Sequence, residues 1–183
     1  MQATSLTPRQ RLEFEIEMLV VKELARYEHA DPFRKNPPLG HFLLVPPQPK
    51  EWDLDYLMSI VEVKGKNGRN YLDPQYVHDE IVVPAGPYLM QDVEDGKKRL
   101  NTDPLISKAN ILQEGRSPYT IWRGVIHIGV FPEVLESHNM DLVGSRGMPF
   151  LCLYNGEPRL ESYRYIPYAF PGWGAPSCGS IIV

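Results

Sequence analysis

The first clear hydrophobic pattern lies near the N-terminus and predicts a helix. Thr7 and Gln10 have the spacing of a capping box, and Pro8 suits the first position of a helix. Residues 12–18 alternate between apolar and acidic side chains, which is the two-residue period of a strand. The caps, the length of the segment and its helix-forming residues outweigh that alternation. We therefore predict a helix over about residues 7–28.

The rest of the chain mixes short apolar runs with turn residues, which predicts an α+β fold. Residues 41–45 form an apolar run between prolines and are typical of a short strand. Asp103 followed by proline marks a second helix start. Residues 120–131 fit either a helix or a strand, and the pattern leaves both open. Asn155-Gly156 between apolar runs predicts a hairpin, so the last third of the chain is expected to be rich in strands.

Length and charge restrict the class of protein. The chain has 183 residues with 19 Lys+Arg and 23 Asp+Glu, a formal net charge of −4, and we expect one globular domain over residues 1–183. No segment is strongly basic, so nucleic acid is not an expected partner. The apolar stretches are far too short to span a membrane, and the N-terminus lacks the apolar core of a signal peptide. Because two cysteines do not make a disulfide framework, we predict a reduced cytoplasmic protein.

The motifs of common enzyme classes fail in this sequence. Ser145 is followed by a glycine at the right distance, but Val143 stands where a nucleophile elbow needs its first glycine. The histidines do not have metalloprotease spacing, so we predict neither a metal nor another cofactor. Cys178 among small residues is the sharper nucleophile candidate, because a nearby base or cation would lower the pKa of its thiol. Spacing alone does not show which group would do so; the candidates are His127, His138, Arg146 and Arg164.

Aromatic and arginine side chains gather toward the C-terminus, a composition that suits ligand or partner recognition. Loop positions carry function more often than strand positions, and this selects the candidate binding residues. They are Arg116, Ser145, Arg146, Trp173, Ser177 and Cys178.

The order of three short motifs resembles a bacterial family catalogued only as a domain of unknown function. The motifs are Gly115-Arg116-Ser117-Pro118-Tyr119-Thr120, Gly144-Ser145-Arg146 and Trp173-Gly174-Ala175-Pro176-Ser177-Cys178. The resemblance covers about residues 40–180 and implies that Thr120 caps a helix in a bacterial cytoplasmic protein. This chain departs from the family pattern after the first motif, where Trp122 and Arg123 stand in place of an expected acidic residue. The family brings no established activity.

These observations favour a non-enzymatic binding or accessory protein that recognises a small ligand or another protein. The alternative is a hydrolase or transferase that uses Cys178 or Ser145 as its nucleophile, and this requires a base within hydrogen-bond reach. The oligomeric state, and whether Cys152 and Cys178 lie close together, stay open.

Overall fold

The computed structural model describes residues 6–51, 53–73, 75, 78–163 and 169–183. Within these ranges the helices are α1 (Pro8–Val21), α2 (Asp31–Arg34), α3 (Leu54–Ser59), α4 (Pro104–Gln113), α5 (Ile121–Val130) and α6 (Val134–Ser137). The strands are β1 (Phe42–Val45), β2 (Glu62–Val63), β3 (Lys66–Asn67), β4 (Arg69–Asn70), β5 (Tyr88–Gln91), β6 (Ser117–Pro118), β7 (Asn139–Asp141), β8 (Pro149–Tyr154), β9 (Glu157–Ser162), β10 (Trp173–Gly174), β11 (Ser177–Cys178) and β12 (Ser180–Ile182). The α+β class, the N-terminal helix and the strand-rich C-terminal part are confirmed.

Helix α1 begins as predicted and ends earlier than predicted. The Thr7 hydroxyl accepts the Gln10 backbone N–H, and the Gln10 side chain accepts the Thr7 N–H, which completes the capping box. The helix stops at Val21 rather than near residue 28. Glu23 has a left-handed φ of 59°, and the N–H of Leu24 reaches back to Leu19 O at 2.9 Å. This is a Schellman closure, and it turns the chain so that Leu24 is buried in the core.

Two sheets form the framework. The first is antiparallel with the strand order β1-β5-β12. The second has the order β10-β7-β8-β9-β4, and its outer pairs, β10 with β7 and β9 with β4, are parallel. Two short antiparallel pairs, β11 with β6 and β2 with β3, complete the pairing in the described chain.

Helix α5 is the centre of the core and resolves the open choice for residues 120–131. Thr120 caps it by accepting the N–H of Arg123 at 3.4 Å, as the family resemblance implied, and all ten helix residues are buried. It packs against α1, β1 and β8. Gly124 permits a close approach, because a Cβ there would lie 2.6 Å from Leu142. The apolar residues of this helix fit a helix face, but its Val and Ile residues are equally typical of a strand, and this made the segment ambiguous in sequence.

The hairpin at Asn155-Gly156 is confirmed. Strands β8 and β9 pair in antiparallel register, and Asn155 and Gly156 have φ values of 51° and 78°. Two positive φ values are the signature of a type I′ turn. Arg164 and Tyr165, which we predicted to follow in the same strand, lie outside the described residues.

Across the described ranges, no helix has both the length and the apolar character needed to cross a membrane.

Candidate ligand-binding site

The six candidate residues from the sequence fall into three hydrogen-bonded or aromatic environments. Arg116, Ser177 and Cys178 lie together where β6 pairs with β11. The Ser177 hydroxyl accepts Arg116 Nε–H at 2.9 Å, and Arg116 also forms an ion pair with Asp92. Arg116 is therefore tied into a local network, and its role in ligand binding remains a prediction.

Ser145 and Arg146 occupy a second place, at the N-terminus of α5. The Ser145 hydroxyl donates to Asp79 Oδ1 at 2.6 Å and accepts the Ile121 N–H at 3.1 Å. Arg146 is exposed, and its backbone N–H donates to His78 O at 2.7 Å. These bonds connect the loop to the helix end and do not link Ser145 to an imidazole.

The nucleophile alternative has no support in the described chain. Neither the Ser145 hydroxyl nor the Cys178 thiol has a hydrogen bond to a histidine side chain there. Cys178 is fully buried, and burial raises the pKa of its thiol. Cys152 and Cys178 are both free thiols, and burial raises the pKa of Cys152 to about 12. A reactive thiol needs surroundings that lower its pKa, whereas burial raises the pKa of both of these thiols.

Trp173 belongs to an aromatic cluster. Its ring centroid lies 4.5 Å from that of Phe150, 5.4 Å from Phe170 and 5.9 Å from Tyr163. No hydrogen bond or ring contact among the described residues joins Trp173 to Arg116 or Arg146. The aromatic and arginine candidates therefore do not form one shared site through direct contacts.

A cavity of about 520 Å³ lies elsewhere, between α1, β1, α5, α6 and the loop after β5. Its volume is in the range of small-molecule sites. Its apolar lining is Phe42, Leu43, Val93, Phe131 and Val134. Its polar lining is Arg11, His41, Glu94, Asp95, Lys97, Lys98, His127, Glu133 and Ser137.

His127 of α5 is the most buried polar group on the cavity wall, with 6% of its surface exposed. Its Nδ1 lies 3.0 Å from the Tyr119 hydroxyl. Burial raises the pKa of Tyr119 well above its usual value, so the phenol keeps its proton. Nδ1 is the one hydrogen-bond acceptor that the described residues offer this hydroxyl, so we assign Tyr119 as the donor to Nδ1. Burial lowers the pKa of His127 to about 4, so the ring is neutral at neutral pH. The remaining proton is then on Nε2, and no described residue hydrogen-bonds to that atom.

Arg11 of α1 also lines the cavity, with its guanidinium 5.4 Å from the ring centroid of Phe131. Its Nε donates to Glu15 at 2.9 Å and its Nη2 donates to Phe42 O at 2.8 Å. Glu15 is fully buried and also accepts the Leu44 N–H at 2.8 Å. Burial raises the pKa of Glu15 to about 7, although both hydrogen bonds oppose that rise. The pair joins α1 to β1 and fixes one side of the cavity.

A buried ion pair fixes the loop at the cavity floor. Arg99 Nη1 donates to Glu94 Oε2 at 2.9 Å, and the two side chains are 8% and 7% exposed. Backbone N–H groups of Gly96 and Lys98 donate to Glu94 Oε1, each at 2.9 Å. The loop that carries Lys97 and Lys98 is therefore rigidly held.

The described residues contain no group of three or more His, Cys, Asp or Glu side chains arranged to hold a metal ion. The polar groups at the cavity offer a ligand hydrogen-bond donors and charges.

Comparison with known protein families identifies one match. The model of a family of unknown function, DUF5701, matches residues 9–160. The chain belongs to the DUF5701 family. No curated protein and no solved structure matches it.

The DUF5701 match differs in extent from the resemblance described above. It includes nearly all of α1 and ends before the Trp173–Cys178 motif, whereas the resemblance was expected over about residues 40–180. Every residue that lines the cavity lies inside the matched range. Where the resemblance predicted an acid, this DUF5701 chain has Arg123, which is buried and donates to the Tyr88 hydroxyl at 3.0 Å and to Pro118 O at 2.9 Å.

Sequence reasoning missed the cavity because its wall comes from four separate segments. Arg11, residues 41–43, the loop 93–98 and residues 127–137 are brought together only by the packing of α1 and α5. The available signal was His127, one of two polar side chains, with Arg123, in a ten-residue helix that is otherwise apolar. That residue was considered only as a possible partner for Cys178.

Proposed function

We propose that this protein binds a small organic ligand in the cavity between α1 and α5. The observation that carries the proposal is His127: its Nε2–H is unpartnered among the described residues, and the residue is more than nine-tenths buried on the cavity wall. A ligand oxygen in the cavity can accept this proton in place of water. Such a hydrogen bond is stronger beside a largely buried side chain than in bulk water.

The rest of the cavity supports the same function. Leu43, Val93 and Val134 provide an apolar surface, and a few polar groups converge on it, which is the usual composition of a ligand site. The two ion pairs described above, Arg11 with Glu15 and Arg99 with Glu94, hold α1 and the loop after β5 in place at the cavity. A preformed site loses little conformational entropy when a ligand binds.

The proposal keeps the setting predicted from the sequence, a bacterial cytoplasmic protein. Two free buried thiols are compatible with a reducing compartment.

The test is a protein-observed NMR titration of nitrogen-15-labelled protein with 2-naphthoate and 2-naphthamide, which share one ring system and carry an acceptor oxygen. The key variant is the double substitution His127→Phe with Tyr119→Phe, because it removes the Nε2 donor without leaving a buried hydroxyl unpaired. We expect at least one probe to bind the unmodified protein, to shift the amides of Leu43, Val93 and Val134, and to lose its affinity in the double variant. Absence of binding by both probes, or shifts confined to other regions, would overturn the proposal.

A further inference from the structure

The charges around the cavity divide into groups that are already paired and groups that are not. Glu94 accepts hydrogen bonds from the Arg99 side chain and from two backbone N–H groups. Asp95 accepts the Lys97 N–H at 3.1 Å and forms an ion pair with the Lys97 ammonium at 3.1 Å. These two acids are therefore neutralised inside their own loop and offer little to a cationic ligand.

Two cationic side chains at the cavity keep hydrogen-bond donors that have no close partner in the described chain. Lys98 forms no ion pair with any residue of the described chain, and it lines the same cavity as His127. Arg11 Nη1 has a long contact of 3.5 Å with Nδ1 of His41. The uncommitted donors at the site are therefore one ammonium, one imidazole N–H and part of a guanidinium.

Glu133 is the acidic residue at the cavity that could instead favour a cationic ligand. It precedes α6 and is exposed, so water solvates its carboxylate. An exposed carboxylate at the rim attracts a cation weakly, because solvent and salt screen it. His127, in contrast, is buried, and an interaction with its N–H is not screened in the same way.

We infer that the ligand is a carboxylate with an apolar body, an inference that rests on the proposed binding function. Its carboxylate accepts the His127 Nε2–H, which is the main contact, while the body packs on Leu43, Val93 and Val134. The exposed Lys98 ammonium adds a weaker attraction that solvent and salt screen. A single unpaired lysine matches a monoanion. A doubly charged phosphate would leave one charge uncompensated, because the Arg11 guanidinium is already shared with Glu15.

The experiment compares three probes that share the naphthalene ring and differ in the charge and hydrogen-bonding groups of one substituent: 2-naphthoate, 2-naphthamide and 2-naphthylmethylamine. Each is titrated at low ionic strength into the unmodified protein, into Lys98→Gln and into Lys35→Gln. Lys35 is the matched control, because it is an exposed lysine outside the cavity and its substitution changes the net charge equally. Lys98 is exposed, so neither variant should unfold the protein.

We expect the carboxylate to bind about tenfold more tightly than the amide, since hydrogen bonds to charged groups are stronger by roughly that factor. Lys98→Gln should lower this preference by about two- to fivefold, as expected for an exposed charge pair, and Lys35→Gln should leave it unchanged. Added salt should weaken the carboxylate more than the amide.

The outcomes separate this inference from the proposed function. If the amide binds as tightly as the carboxylate at the His127 site, or if the amine binds best, the carboxylate inference is wrong and the binding function stands. If Lys98→Gln and Lys35→Gln weaken the carboxylate equally, the inference is also wrong. If no probe binds at the cavity, both proposals fail.

Discussion

The Tyr119 hydroxyl lies 3.0 Å from Nδ1 of His127, with both side chains inside the core, and this bond fixes which imidazole nitrogen faces the cavity. The Tyr119 hydroxyl has no other hydrogen-bond partner among the described residues. The bond therefore stabilises the core and also determines the tautomer of the cavity donor.

The first prediction concerns the energy of this pair. Tyr119→Phe leaves Nδ1 of His127 buried without a donor, and we expect the free energy of unfolding to fall by about 1–3 kcal/mol. Adding His127→Phe removes the second polar group, so the double variant should be less destabilised than the sum of the single variants. Urea denaturation of all four proteins measures the coupling. Strictly additive losses would show that the two groups do not interact.

The second prediction is a pH dependence that comes from Glu15. Its pKa is raised from 4.5 to about 7 in the folded state, so the folded protein holds this proton more tightly than the unfolded chain does. The stabilising contribution is complete below pH 4.5 and is lost as the pH rises to about 7, by about 3 kcal/mol. Glu15→Gln should remove this part of the pH dependence.

Asp141 serves as the internal reference for this comparison. Burial raises its pKa to about 7 as well, and it is present in both proteins. The difference between the two stability curves therefore reports on Glu15 alone. Parallel curves from pH 4.5 to about 7 would contradict the assignment.

The third prediction concerns the buried ion pair below the cavity. Arg99→Met keeps an apolar stem but leaves Glu94 buried without its cation, which should cost about 3–5 kcal/mol. Arg26→Ala is the control, because the Arg26–Glu28 pair is 78% and 61% exposed and should contribute less than about 1 kcal/mol. Thermal and urea unfolding of both variants measure the two losses in the free energy of unfolding. Similar small losses in the two variants would mean that the buried pair does not anchor the loop.

The fourth prediction concerns the hairpin. Gly156 has a φ of 78°, and Gly156→Val should cost about 1–2 kcal/mol, because β-branched residues disfavour left-handed backbone. The strain should pass from β8 through β7 to β10, which pair in that order, so hydrogen exchange should increase more around Trp173 than in α1. Equal increases in the two regions would show that the C-terminal segment has no special coupling to the hairpin.

The elements with local signals were predictable from the sequence. Thr7 with Gln10, Asp103 with Pro104, and Asn155 with Gly156 each determine backbone geometry through neighbours within three residues. The early end of α1 was not predictable in this way. A glutamate in left-handed conformation carries no local signal, and its position is determined by the burial of Leu24.

The candidate site was less predictable for the same physical reason. Arg116 and Ser177 were predicted separately as binding residues, and the structure joins their side chains by a hydrogen bond, while their role in binding stays a prediction. The cavity depends on contacts between Arg11, the loop at Lys98 and His127, which are far apart in sequence. Periodicity and spacing report only on local geometry, so such a site becomes visible only when the helices are packed.

The most direct test of the central claim is the nitrogen NMR spectrum of the histidine side chains, recorded with and without 2-naphthoate. The double variant His127→Phe with Tyr119→Phe assigns the His127 signals by their loss. With its pKa lowered to about 4, His127 should be neutral at neutral pH, with the proton on Nε2, and the Nε2 signal should shift when the carboxylate binds. A proton on Nδ1, or an Nε2 signal that does not respond to a bound ligand, would contradict the claim that His127 is the donor in a ligand-binding cavity.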